Sequence, residues 1–172
     1  MRLFVPFLFL CLAACASPHI DYLAATDFSA YQQVQLLQAS DAPRSLDGAR
    51  VVHALKKYLP DSGLALQDTA TTLQMRYGFS EYSRFDVNEV FWGFGASRQN
   101  NIAAGVSAPI SAEESKQYRL VLELIDAETR QVVWSARSAN GLDEDASSVR
   151  REKWIDKQVR LMLEKYPPPT EH

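Results

Sequence analysis

Two thiols, three imidazoles and a few closely spaced carboxylates are the groups in this 172-residue chain whose types and spacing could do chemistry. Both cysteines, Cys11 and Cys15, lie at the amino terminus. The body therefore has no thiol for a disulfide, a cysteine-based zinc site or an iron–sulfur cluster. His19, His53 and His172 are far apart in sequence, and no two have the spacing of metal ligands. A serine hydrolase needs a base, and His53 is the histidine set inside a helical pattern. No G-x-S-x-G sequence accompanies it, so a helix-surface or packing role is expected. Glu81 with Asp86 and Glu89, and Asp143 with Glu144 and Asp145, are the closely spaced acids. Glycoside cleavage needs two carboxylates about 5–10 Å apart across a cleft. The bland account is solvated strand ends for the first group and a helix start, which favours negative charge, for the second. Trp92-Gly93-Phe94-Gly95 holds two close glycines, but Arg98 stands where a dinucleotide-binding loop has its third, and no lysine follows. These residues point to no metal, no catalytic set and no diffusible cofactor.

The amino terminus carries a sharper signal. Arg2 precedes an apolar run from Leu3 to Ala14, too short to cross a bilayer as a helix, which needs about 20 residues. A basic start, an apolar core and small residues before a cut site describe a secretory leader. Leu12-Ala13-Ala14-Cys15 resembles the bacterial lipobox. That resemblance implies diacylglycerol on the Cys15 thiol, cleavage between Ala14 and Cys15, and a further acyl chain on the new amino terminus. Two or three acyl chains make a stable anchor, since each buried methylene adds about 0.8 kcal/mol. Ala16 and Ser17 follow, with no aspartate directly after the cysteine, which by the same resemblance implies the periplasmic side of the outer membrane.

Composition agrees with one domain. The chain is 47% hydrophobic and 23% charged, with a formal net charge of −3, which is ordinary for a globular protein and argues against a general affinity for nucleic acid. Removal of the leader with Arg2 makes the balance one unit more acidic. The expected organisation is a leader over 1–14, a lipidated terminus and tether over 15–27, a single domain over 28–169 and a frayed tail over 170–172.

The elements that must position any site follow from periodicity. Tyr31 to Leu37 and Leu73 to Phe79 alternate apolar and polar residues, as do Tyr118 to Ile125, the pattern of half-buried strands. Asp126 to Arg130 is a tight connection without glycine, and Val132 to Arg137 pairs back, with Val132 and Trp134 on one face and Val133 on the other. Ser45 or Asp47 can cap a helix whose apolar residues are Val51, Val52, Leu55, Tyr58 and Leu59, stopped by Pro60 and Gly63. A last helix shows a stripe of Val149, Ile155, Val159, Met162, Leu163 and Tyr166 before Pro167-Pro168-Pro169. Its basic residues, Arg150, Arg151, Lys153, Lys157, Arg160 and Lys165, are interleaved with acids, and Asp156 has the spacing to pair with Arg160. Arg98 to Glu114 reads as a long loop. The expected fold class is α+β: a two-layer sandwich with a mostly antiparallel sheet and two main helices packed on one face.

Three segments carry a wider resemblance. They are Asp21-Tyr22 with Asp27-Phe28-Ser29-Ala30-Tyr31, then Leu73-Gln74-Met75-Arg76-Tyr77, then Tyr118 to Ala127 running into Val132-Val133-Trp134. With the lipobox they resemble the bacterial lipoproteins grouped as domain of unknown function 4136. Leu23 departs from that pattern where an aspartate is usual, as do Thr71-Thr72, and Ala136 stands where a glycine is common. The family has no established activity, so the resemblance implies location and fold and transfers no catalytic residue.

Seven aromatic side chains crowd between Tyr77 and Phe94. Tyr77 and Phe79 alternate as core residues, whereas Phe91, Trp92 and Phe94 break that period beside glycines and form a candidate binding surface. The expected function is a non-enzymatic accessory or binding role in the cell envelope, with the membrane as partner through the lipid anchor and an envelope protein as a second partner. The alternatives are a carrier for a lipid or other amphiphile, using the Phe91 to Phe94 region and the Arg98 to Glu114 loop, and a hydrolase with an unrecognised site, in its simplest version Glu81, Asp86 and His53. Intact-mass spectrometry of the membrane fraction tests the address. The wild-type protein is expected to begin at Cys15 and to carry the added mass of its acyl chains. Cys15→Ser is expected to leave the leader uncut and the protein lipid-free.

Overall fold

The computed structural model describes residues 17–37, 45–82, 90–92 and 117–169. In chain order they form β1 (His19–Tyr22), a 3-10 turn (Phe28–Ala30), β2 (Gln33–Leu36), α1 (Leu46–Tyr58), a second 3-10 turn (Pro60–Ser62), β3 (Ala65–Gln67), β4 (Leu73–Tyr82), β5 (Val90–Trp92), β6 (Gln117–Asp126), β7 (Val132–Arg137), β8 (Leu142–Asp143) and α2 (Ser148–Leu163). One sheet has the order β1-β7-β6-β4-β2-β3, with β5 beside β4 and β8 beside β6. β2 runs parallel to β3 and β4, and the other pairings are antiparallel. Two parallel strands need a long crossover, and between β2 and β3 the helix α1 provides it.

Both helices cover one face of the sheet, as the two-layer α+β reading expects. Leu73, Met75 and Tyr77 of β4 and Leu120, Leu122 and Leu124 of β6 pack against Val51 and Leu55 of α1 and Ile155, Val159 and Met162 of α2. Each fully buried residue of this kind contributes about 1.5–3 kcal/mol relative to exposure. Ser45 caps α1 by accepting from the Gly48 N–H at 3.0 Å. Ser147 caps α2 by accepting from the Arg150 N–H at 3.4 Å. Beyond α1, Gly63 takes a left-handed φ of 80°, which costs glycine nothing.

Several local expectations are corrected. The stretch 15–27 is not all tether: Ile20 and Tyr22 alternate with His19 and Asp21 and seat β1 on the sheet edge, His19 opposite Arg137. The folded body therefore begins at His19 rather than Phe28. Val132 and Trp134 do not share a face. A register shift pairs Leu124 with Trp134 but Ile125 with Val132, so Val133 is an extra residue in β7. This β-bulge flips the pattern and leaves Val132 exposed while Val133 and Trp134 are buried. Val149 is not on the buried stripe. It lies six residues before Ile155, about 120° around the helix, and is 62% exposed. The acids before α2 do not sit in its first turn, because Leu142–Asp143 form β8 and Asp143 accepts from Gln117 Nε2 at 2.9 Å.

The hairpin without glycine is held by one carboxylate. Asp126 Oδ1 accepts from the N–H of Glu128 at 3.1 Å, the N–H of Thr129 at 2.7 Å and Thr129 Oγ1 at 2.9 Å. Oδ2 accepts from the Tyr31 hydroxyl at 2.7 Å. Arg130 fills the left-handed position at φ 61°. Hydrogen bonds from the Thr129 backbone, then from Tyr31 and the Thr129 hydroxyl, hold the Asp126 carboxyl below the usual carboxylate range.

Two outcomes are expected in urea titrations. A Cβ on Gly48 would stand 2.9 Å from the Tyr77 hydroxyl and 3.1 Å from the capping Ser45 Oγ. Gly48→Ala should therefore lose about 1–2 kcal/mol to overpacking despite the better helix propensity of alanine. Asp126→Asn should destabilise at neutral pH. Because the folded carboxyl has the lowered pKa, its contribution is complete above the unfolded value near 3.9 and disappears as pH falls through the folded value. The gap between wild type and Asp126→Asn should thus close as pH is lowered below about 4.

Candidate functional site

The residues singled out by sequence do not converge. Phe91 and Trp92 are placed by backbone register in β5, opposite Phe79 and Gly78 of β4. Their side chains lie outside the described residues, as do Phe94, residues 98–114, Ala14 and Cys15. His53 is exposed on α1, and Glu81 is in β4. Asp86 and Glu89 are outside the described residues. No three of His, Cys, Asp and Glu gather among the described residues in a way that could hold a metal ion.

The structure instead brings together two helices far apart in sequence. α1 and α2 start side by side and run the same way. Arg50 Nη2 donates to Ser148 Oγ at 2.6 Å, and Arg151 Nη1 donates to Asp47 Oδ2 at 2.7 Å. Further along, Tyr58 donates to Asp156 Oδ2 at 2.8 Å and Lys57 Nζ to Oδ1 at 3.1 Å. Asp156 therefore reaches across to α1 rather than along its own helix, and Arg160 pairs with Glu164 at 2.8 Å. Partial burial works against the charge on Asp156. The hydrogen bonds from Tyr58 and Lys57, with the charges of Lys57 and Arg160, outweigh it and hold the carboxyl below its usual range. The Lys57 ammonium is raised, first by its contact with Tyr58 and then by Asp156.

Between the helices, on the side away from the sheet, runs an open groove of about 690 Å³. Ala49 and Ala54 keep it wide, and Leu46 and Val149 form an apolar lip at the helix starts, 77% and 62% exposed. His53, Glu152 and Lys153 line it and make no hydrogen bond or ion pair among the described residues. Arg50, Lys56 and Lys57 stand against Asp47 on α1. Arg150, Arg151, Lys153, Lys157 and Arg160 stand against Glu152 and Asp156 on α2. The layer thus has a formal excess of five positive charges within a chain of net charge −3. Along the chain the cations of the last helix, interleaved with acids, read as an ordinary solvated face. Only α1 alongside makes them half of a larger surface.

The segments that carry the family resemblance meet at the other end of the sheet. Tyr22 and Phe28 meet edge to face at 6.3 Å between ring centres, Phe28 and Tyr166 at 5.8 Å, and Trp134 and Tyr166 at 5.7 Å. Asp27 caps the 3-10 turn that aims Phe28 inward. Burial, then the Asp126 carboxylate, pushes the Tyr31 hydroxyl up to about 12. Burial, then Tyr31, does the same to Tyr166. Such phenols stay protonated at physiological pH, and the ring cluster closes the sheet edge. The layer interface itself is filled by wholly buried side chains, including Trp134, Met75, Ile155 and Met162; the region expected to bind an amphiphile, Phe91 to Phe94 with the 98–114 loop, lies outside the described side chains.

The fold has relatives among solved structures. A crystal structure of a PDZ domain protein from Parabacteroides distasonis matches at TM-score 0.58 and 17% identity over 91% of this chain, and the chain spans 36% of that protein's length. Two PelC dodecamer structures from Paraburkholderia phytofirmans match at TM-scores of 0.41 and 0.42, with 12% and 14% identity, over 85% of this chain and nearly all of theirs. At 17% identity the first of these shows a likeness of fold alone. No curated protein matches the chain. The family model described as domain of unknown function (DUF4136) covers residues 18–168, almost from the start of β1 to the end of the body. The chain belongs to the DUF4136 family.

Proposed function

We propose that this protein is a lipid-anchored, non-enzymatic component of the cell envelope that works through the outward surface of its helical layer. The observation that carries the reading is the α1–α2 groove, with its exposed Leu46 and Val149 lip and with His53, Glu152 and Lys153, whose side chains have no partner among the described residues. A monomer that served only to fold would gain by burying such a lip. The groups best placed for acid–base work, Asp47 and Asp156, are engaged in tying the helices together, which favours binding over turnover. The leader ending at Cys15 supports an anchor in the outer membrane facing the periplasm.

Thiol accessibility in the native envelope tests this. Once the leader is removed, Cys15 is the sole native cysteine and its thiol is blocked by lipid, so an introduced cysteine reports alone. Val149→Cys should react with a membrane-impermeant maleimide several-fold more slowly in permeabilised cells than after detergent extraction. Gln131→Cys, in the exposed hairpin, should react equally in both. Equal reactivity of the Val149 position in both states would show that the helical surface engages nothing and would sink the reading.

A further inference from the structure

We propose that the occupant of the helical surface is the anionic phospholipid headgroup layer itself, so that the domain lies with α1 and α2 against the membrane that holds its anchor. This deepens the reading above and rests on it for the anchor. Three observations carry it. The first is charge. The two helices hold an excess of five cations, and the remainder of the chain is correspondingly acidic. Lys56, Arg150, Lys153 and Lys157 are exposed and make no ion pair among the described residues. Anionic lipid attracts such a layer and repels the rest of the molecule.

The second is shape and polarity. Leu46 and Val149, the most exposed large apolar side chains among the described residues, stand together at the two helix starts within this cationic field. Apolar side chains that enter the headgroup boundary beside a ring of lysine and arginine are how peripheral helices hold a membrane. An acidic protein would satisfy the cations equally, but it would also have to be found close to the bilayer.

The third is reach. β1 is already in the sheet at His19, four residues after Cys15. At about 3.3–3.6 Å per residue, the leash spans at most roughly 14 Å. A helix with its side chains is about 10–12 Å across. A leash scarcely longer than that cannot hold the domain clear of the surface. Some face must meet the headgroups, and the helical layer is the one with complementary charge.

The test uses the lipidated full-length protein in vesicles of phosphatidylcholine with phosphatidylglycerol, and of phosphatidylcholine alone. An environment-sensitive fluorophore is placed at Val149→Cys or at Gln131→Cys. The probe at position 149 should shift to the blue and be quenched by spin-labelled lipid on the anionic vesicles. Both responses should fade at high salt and on neutral vesicles, while the probe at 131 stays in water. Neutralising Arg150 and Lys153 with glutamine should lower the ratio of docked to free domain roughly fivefold per cation removed. These side chains are exposed, and an unchanged urea midpoint confirms that the variant folds. An aqueous probe at 149, an equal response on neutral lipid, or photo-crosslinking at 149 in cells that recovers a protein instead of phospholipid overturns the proposal. If mass spectrometry finds Cys15 without lipid, the anchor reading fails by itself. The surface inference is then decided by flotation of the full chain: salt-sensitive flotation on anionic vesicles upholds it, and none refutes it.

Discussion

One sheet and two helices have a single interface in which to bury their apolar faces, and everything else about this molecule follows from filling it. Leu73, Met75, Leu122, Leu124 and Trp134 from the sheet meet Val51, Leu55, Ile155, Val159 and Met162 from the helices there. At about 1.5–3 kcal/mol for each such side chain, this burial far exceeds the ion pairs on the surface, which are worth at most about 1 kcal/mol apiece when exposed. Pairs such as Asp47–Arg151 therefore do not decide whether the helices bind the sheet. They decide how the helices lie against each other.

That division of labour explains the charge distribution. Once the stripe of α2 is committed inward, its interleaved cations have nowhere to go but the outer plane. On α1, Lys57 does the same, while Arg50 turns toward α2 and Lys56 flanks β2 and β3. Because α1 bridges the parallel strands β2 and β3 while α2 returns after β8, two segments about a hundred residues apart in sequence come to lie side by side and in the same direction. Neither helix is exceptional alone. Together they make a basic layer with an apolar lip on a mildly acidic chain.

The opposite end of the sheet solves a different problem, the closing of an edge. β1 is four residues long and has one neighbour. It is held by Tyr22 and Phe28 in a run of edge-to-face rings with Tyr166 and Trp134. The Tyr31–Asp126 hydrogen bond ties the start of β2 to the β6–β7 hairpin across that end. Of the segments that carry the resemblance, Asp27, Phe28, Tyr31 and Asp126 are here a capping aspartate, an inward ring, a phenol and the carboxylate it donates to. Their physical content is architecture, and it says nothing of turnover.

Much was legible along the chain because it depends on near neighbours. Periods of two and 3.6 placed the long strands and both helices, and Ser45 and Gly63 marked the limits of α1. What stayed hidden depends on a third dimension. The β-bulge at Val133 is set by the partner strand, so alternation put Val132 on the wrong face. Asp156 had a partner at helical spacing in Arg160, yet Tyr58 and Lys57 are nearer in space. Val149 read as core because a list of apolar residues does not weigh angle around a helix. By itself the sequence determined the fold class and most of the residues that must be buried, since these follow from hydrophobic periodicity and local chemistry. Only the tertiary structure decided which charged faces become one surface, because coulombic and apolar contacts depend on distance between side chains, and folding, not spacing along the chain, sets that distance.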